Sequence, residues 1–173
     1  MSIKYLNKAN NTMKVQVRRG TFETNSSSIH SLCINGENTL NLVDSLNVEF
    51  GSWGWSEDVI DTPDEKASYI YTAIYDRYYD EPELRDSLLN KFKETLESLC
   101  PNVTYEVYDE NTWCGIDHSS EFGSDIQEII EYGLLADLIF NPRSVIITGN
   151  DNDDEFQPDK LYMTYKKIFY KGN

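Results

Sequence analysis

The sequence predicts an α+β fold in which three helices pack on a mixed or antiparallel sheet of about five to seven strands. Apolar residues recur at helical spacing in three long segments, and short alternating or continuous apolar segments separate them. The length of 173 residues suits one domain with a substantial core, and no internal repeat is present. We expect residues 1–12 to form a loose arm and residues 13–173 to form a single domain.

The first strands are predicted before residue 62. Residues 14–18 alternate apolar and polar side chains as a strand does, and residues 29–34 continue from a polar loop as a second strand. Asn35 and Gly36 mark a turn, and the imperfect alternation across residues 40–50 predicts one or two further strands.

Three helices are predicted after these strands. Thr62, Pro63 and Glu65 form a typical helix start, so the first helix should run to about Tyr79, and Pro82 should open a second, amphipathic helix that ends near residue 99. The third should extend from residue 124 to about 140. The apolar stripe expected on the first helix consists of Ala67, Ile70, Tyr71, Ile74, Tyr75 and Tyr78.

The remaining strands are predicted in the second half of the chain. Residues 103–108 alternate as a half-buried strand, and residues 144–148 are almost continuously apolar, which is typical of a central strand. Residues 160–170 are predicted to form a final strand pair or an edge strand, with lysines that discourage unwanted pairing.

Charge is the strongest global property of the chain, with a net value of −15. Such a field repels nucleic acid and attracts cationic partners, although solubility alone is the simpler explanation. The sharper hypothesis is an acidic face that mimics DNA or RNA in the groove of another protein. Three widely spaced cysteines predict neither a disulfide framework nor a zinc site, and no apolar segment is long enough to span a membrane. We therefore expect a cytoplasmic protein without a cofactor.

The two histidines lie in separate serine-rich clusters, at His30 and His118. If the fold brings these clusters together, they can serve acid–base chemistry or bind a phosphate or nucleotide. The opposing interpretation is a buried structural hydrogen-bond network. No metal site is expected, because no local pair has ligand spacing. Under the chemical hypothesis the catalytic residues are His30, His118 and Asp117, and the ligand-binding residues are Asn25, Ser26, Ser27, Ser28, Trp53, Trp55, Cys114 and Ser119.

Two tryptophans, Trp53 and Trp55, flank Gly54 in a segment that favours irregular backbone. Their rings are interpreted either as a lid over the edge of the core or as a surface that stacks on a ligand or anchors a protein partner. The chain also holds twelve tyrosines, some of which we expect to lie half exposed at a binding surface.

Residues 19–31 form the pattern R-G-x-F-E-T-N-S-S-S-x-H-S, which resembles the N-terminal signature of a family of small phage and Firmicutes proteins. Residues 50–51, 66–72 and the I-D-H-S-S sequence at 116–120 resemble later blocks of that family. The family's members begin close to this signature, so Met13 is a second candidate for the translation start. The resemblance implies a phage or mobile-element origin and supports grouping the histidine clusters, but it implies no activity and no catalytic residues.

Three functions follow as expectations, and the simplest of them is a phage accessory protein that has no functional site. The first is a phage-type protein for host takeover or anti-defence, which binds and inhibits a host or bacterial-defence protein with a basic surface through its negative field and exposed aromatic residues. It binds neither nucleic acid directly nor a membrane. The alternative is a small enzyme or nucleotide- or phosphate-binding protein that uses the two histidine clusters.

Overall fold

The computed structural model describes residues 28–35, 39–54, 58–109, 111, 114–117, 123–150 and 168–172. The predicted arm at 1–12 and strand at 14–18 lie outside these residues. The α+β prediction is confirmed, although the described part of the chain forms four helices rather than three. The elements are β1 Ser28–Ile34, β2 Ser45–Val48, β3 Ser52–Trp53, β4 Asp58–Ile60, α1 Pro63–Arg77, α2 Pro82–Leu99, β5 Asn102–Tyr105, β6 Gly115–Ile116, α3 Gly123–Glu131, α4 Leu135–Phe140, β7 Val145–Asn150 and β8 Ile168–Gly172.

A four-stranded antiparallel sheet has the order β4-β7-β1-β8. The apolar strand β7 is central, as predicted, and β8 is an edge strand. On β1, Leu32 and Ile34 are fully buried in the core with Ile146 of β7, which lies opposite Leu32 in the register. This sheet places His30, which is opposite Thr148, near one end of the β1–β7 pair.

The other strands form two small parallel pairs instead of joining a single sheet. The segment 45–53 pairs first with β5 and then with β6. The β5 ladder ends where the Glu106 N–H donates to the Val48 carbonyl at 2.8 Å, and the next pairing starts where the Gly115 N–H donates to the Gly51 carbonyl at 3.0 Å. The predicted strand at 103–108 is therefore cut short, because its neighbour exchanges partners at this point.

Helix α1 is buried on all sides between Lys66 and Ile74, rather than along the single predicted stripe. Such a helix lies inside the molecule, and α1 contacts β2, β6 and the three other helices. Its start follows the prediction: the Glu65 N–H donates to Thr62 Oγ1, and Pro63 occupies the first turn. The buried Lys66 ammonium donates to the carbonyls of Asn141 and Ser144, at 3.2 and 3.0 Å.

Polar side chains at four-residue intervals on α1 accept hydrogen bonds from backbone N–H groups of the segment 45–53 and of β6. Four residues of helix advance about 6 Å and two residues of strand about 6.6 Å, so successive acceptors meet alternate N–H groups. The side chains of α1 thus replace a neighbouring strand along this edge. The bonds are Asn47 N–H to Asp64, Glu49 N–H to Ser68, Gly51 N–H to Thr72 and Ile116 N–H to Asp76, at 2.7, 3.0, 3.2 and 3.4 Å.

Helix α2 begins and ends as predicted and buries Leu88, Leu89, Phe92 and Leu96. The helix predicted at 124–140 is instead two helices, α3 and α4. Gly133 has a φ of +67° and separates them. The Leu134 N–H donates to the Ile129 carbonyl and the Gly133 N–H to the Ile130 carbonyl, at 2.9 and 3.3 Å. This is a Schellman motif with glycine at C′, which ends α3.

Candidate functional site

The first candidate site centres on His30, whose side chain is enclosed by three other segments. Only 1% of His30 is exposed. Its Nε2 lies 2.8 Å from the backbone carbonyl oxygen of Asp117, and its Nδ1 lies 2.8 Å from the hydroxyl of Tyr69. A carbonyl oxygen can only accept, so Nε2 carries a proton. In the neutral imidazole this is the Nε2–H tautomer, and the Tyr69 hydroxyl then donates to Nδ1.

Gly54 allows the chain to pass directly over this imidazole. Its φ is +102°, and a Cβ at this position would lie 2.8 Å from His30 Cε1 and Nε2 and 3.0 Å from Asp117 Cβ. A side chain at position 54 is therefore excluded both by backbone conformation and by space. The preceding Trp53 is half-buried, and its ring packs against Tyr69 with centroids 5.5 Å apart. This contact corresponds to the lid interpretation of Trp53.

The backbone of β3 and β6 brings the second cluster to the first. Trp53 is paired with Ile116, and the Asp117 N–H donates to the Trp53 carbonyl at 2.9 Å. Because this pairing leaves the Asp117 carbonyl facing His30, residues from the two predicted clusters meet in space. Asp117 contributes its backbone to this contact rather than its carboxylate.

Several predicted site residues cannot be placed in this geometry. Ser28 begins β1, but its side chain lies outside the described part of the structure. The remaining ones, all outside the described residues, are Asn25, Ser26, Ser27, Trp55, His118 and Ser119.

Cys114 is half-buried just before β6, close to two carboxylates. Burial raises the pKa of its thiol above the ordinary value of 9.0, and the negative charges of Asp76 and Glu106 raise this pKa further. The thiol is therefore protonated at neutral pH, which makes it a weak nucleophile. Within the described residues, no group of three or more His, Cys, Asp and Glu side chains is arranged to hold a metal ion.

The node formed by His30, Tyr69 and Asp117 is suited to holding segments together. Both imidazole nitrogens already have partners, and burial keeps the pKa of the Tyr69 phenol well above its ordinary value, so the hydroxyl remains a donor. Sequence reasoning missed Tyr69, which is absent from the predicted stripe of α1. The only signal for it was its position in the 66–72 block of the family resemblance.

A second candidate site is the aromatic cluster, which consists of Phe50, Tyr71, Tyr75 and Tyr108. Tyr75 and Tyr108 stack with centroids 5.3 Å apart and planes at 15°. Phe50 packs edge-on against both rings, and the buried Tyr71 packs against Phe50 and Tyr75. Tyr108 is 39% exposed and its neighbour Val107 is 83% exposed. The cluster is thus a rigid aromatic surface that reaches solvent.

The third feature is an acidic strip on α2, formed by Glu83, Asp86, Glu94 and Glu97, all of which are exposed. At 100° per residue these positions fall within an arc of about 80°, opposite the buried leucines, and they extend over about 21 Å. Arg85 Nε lies 3.3 Å from an Asp86 oxygen.

The described basic side chains are mostly directed inward. Lys66 is buried, while Arg77, Arg85 and Lys93 are half-buried and lie over the rings of Tyr78, Tyr75 and Tyr105, at 5.7, 5.5 and 4.9 Å from the centroids. These cation–π contacts place three positive charges against aromatic rings, whereas Lys91 of α2 and Arg143 are exposed.

The fold and these features define a small α+β protein with a closed polar node and an acidic, partly aromatic surface. Comparison of the chain with protein-family models, with curated proteins and with solved structures finds no match in any of the three. In the described part of the chain, no helix combines the length and the apolar character needed to cross a membrane.

Proposed function

We propose that this chain is a small acidic phage-type protein that binds and inhibits a host or bacterial-defence protein with a basic surface. The acidic strip of α2 is the observation that carries this proposal. Its carboxylates lie within one arc of a helix whose opposite face is buried in the core, so their backbone positions form a defined array. A defined array of one charge steers an oppositely charged partner and aligns it on contact.

The target is a nucleic-acid-handling protein whose basic groove receives the acidic strip in place of phosphates. A protein with this field binds no nucleic acid itself, because phosphates are repelled. The encounter takes place in the cytoplasm of the bacterial host. Four of the described basic side chains are buried or half-buried, which supports this proposal, and the exposed Lys91 of α2 lies about 60° outside the arc of the strip.

Chemistry at His30 is less well supported than binding. A general acid or base must reach the proton that it transfers. His30 is buried, and both of its nitrogens are engaged by Tyr69 and Asp117. We therefore assign His30 a structural role in the proposed binding protein.

The test is a pull-down from bacterial host lysate at low and high salt, followed by an activity assay of any captured nucleic-acid enzyme. The test variant neutralises three residues of the acidic strip by Glu83→Gln, Glu94→Gln and Glu97→Gln. The control variant changes three exposed neutral residues of the same helix by Ser87→Ala, Asn90→Ala and Ser98→Ala.

We expect wild type and the control to capture and inhibit the enzyme at low salt, and high salt or the glutamine variant to abolish capture. Added duplex DNA or RNA should compete with the chain for the captured enzyme. Capture that persists in the glutamine variant, or capture without inhibition, contradicts the proposal.

A further inference from the structure

The aromatic cluster is exposed next to a carboxylate, and this combination suggests which side chain of the partner it receives. We propose that an arginine of the basic partner stacks on the cluster at Tyr108. The inference rests on the proposed function, because it assumes an acidic surface that attracts a basic protein. It adds a specific contact that the acidic strip does not provide.

Contacts within the chain already order the rings of the aromatic cluster in the absence of a partner. The stacking of Tyr75 on Tyr108 and the edge-on contacts of Phe50 hold both rings in place. Little side-chain freedom therefore remains to be lost on binding. Tyrosine and arginine are both enriched among the residues that contribute most of the binding energy at protein interfaces.

The same cluster already holds one guanidinium from its own chain. Arg85 Cζ lies 5.5 Å from the centroid of the Tyr75 ring. Arginine stacks well on aromatic rings because its guanidinium is planar and weakly hydrated, whereas a lysine ammonium is compact and strongly hydrated. Tyr108 offers an exposed ring in the same stack, so the arrangement with Arg85 can be repeated by an arginine from outside.

Charge around the cluster favours a cation over any other occupant. The exposed Glu106 accepts the Phe50 N–H through a carboxylate oxygen at 2.7 Å, which fixes this carboxylate beside the rings. An apolar partner would leave this charge poorly solvated, whereas a guanidinium can stack on the ring and approach the carboxylate.

The test is calorimetric titration of the full chain with oligoarginine and oligolysine peptides of equal length, at low and moderate salt. The variants are Tyr108→Leu, which removes the ring, and Tyr108→Phe, which keeps it. Tyr132→Leu is the matched control, because Tyr132 is 54% exposed and lies after α3, outside the cluster. Thermal melting establishes that each variant is folded.

We expect wild type to bind oligoarginine about two- to fivefold more tightly than oligolysine, which is the size of an exposed cation–π contact. Tyr108→Phe and Tyr132→Leu should keep this preference, and Tyr108→Leu should lose it. Equal affinity of wild type for the two peptides overturns the proposal without the need for any variant, and so does a preference that survives in a folded Tyr108→Leu protein.

The outcomes separate this inference from the proposed function. If both peptides bind in a salt-dependent way but without a contribution from the ring, the arginine site is overturned while the acidic attraction remains. If neither peptide binds even at low salt, the arginine site and the acidic attraction both fail.

Discussion

The imidazole of His30 joins three segments that are far apart in sequence. Its two hydrogen bonds connect β1 to Tyr69 on α1 and to the backbone of Asp117 beside β6. A buried polar group is costly unless it is fully bonded, and a fully bonded one favours a single arrangement of its neighbours. His30 therefore stabilises the arrangement in which the β3–β6 pair closes over the end of β1.

Gly54 is the residue that this closure depends on most directly. We predict that Gly54→Ala lowers the free energy of unfolding by about 3 kcal/mol, because it adds backbone strain and a clash with the imidazole. The measurement is urea unfolding followed by tryptophan fluorescence.

Gly133→Ala is the matched control for this prediction. Gly133 also has a positive φ, but no atom lies within 4 Å of the Cβ that would be added. We expect Gly133→Ala to lower the free energy of unfolding by about 1 kcal/mol, from backbone conformation alone. Equal losses in the two variants would show that the contact between Gly54 and His30 does not constrain the fold.

At the scale of elements, α1 organises the molecule through polar as well as apolar contacts. Its apolar side chains fill the core, and its polar side chains at four-residue intervals accept N–H groups along segment 47–51. Unpaired backbone N–H groups in the interior are strongly unfavourable. The helix thus covers the edge of β2 that has no neighbouring strand.

Thr72 provides the test of this role, since its buried hydroxyl accepts the Gly51 N–H at 3.2 Å. We predict that Thr72→Val costs about 1 to 3 kcal/mol of unfolding free energy, because shape is kept while the acceptor is lost. Hydrogen exchange of the Gly51 amide should become faster in this variant.

The control is Thr95→Val on α2, where the hydroxyl donates to Lys91 within the same helix. We expect Thr95→Val to lower the free energy of unfolding by less than about 0.5 kcal/mol. If Thr72→Val is as mild as Thr95→Val, side-chain acceptors on α1 are not what secures this strand edge.

At the scale of the whole molecule, the acidic strip of α2 faces solvent, whereas several phenol groups of the described residues are buried or half-buried. Burial raises the pKa of Tyr69, Tyr71, Tyr78 and Tyr105 above the ordinary value of 10.0. The folded state therefore favours their neutral forms. The stability that this provides is complete below pH 10 and is lost as the pH rises beyond the pKa of the unfolded chain.

We predict that the free energy of unfolding falls steadily above about pH 10, as the unfolded chain releases phenolic protons that the folded chain retains. Urea unfolding at a series of alkaline pH values measures this slope. Tyrosinate absorbance should show buried groups that titrate only when the protein unfolds. A stability that does not change between pH 9 and about pH 11.5 would contradict the prediction.

Local sequence signals determined much of the secondary structure. The starts of α1 and α2 follow from Thr62, Pro63 and Pro82, and the central position of β7 follows from its continuous apolar run. These features depend on bonds and sterics within a few residues, so a short segment contains the information. The break at Gly133 is also local, but the helical periodicity across it concealed the Schellman motif.

Only the tertiary structure decided how the candidate sites are assembled. The sequence alone grouped the two histidine clusters as one candidate site, and the pairing of β3 with β6 determines which atoms meet. The bonds of His30 span 39 and 87 positions of the chain, and stacking of Tyr75 on Tyr108 joins a helix to a segment beyond β5. Contacts of this range arise from the packing of whole elements, because no local bond or periodicity specifies which distant residue will be the partner.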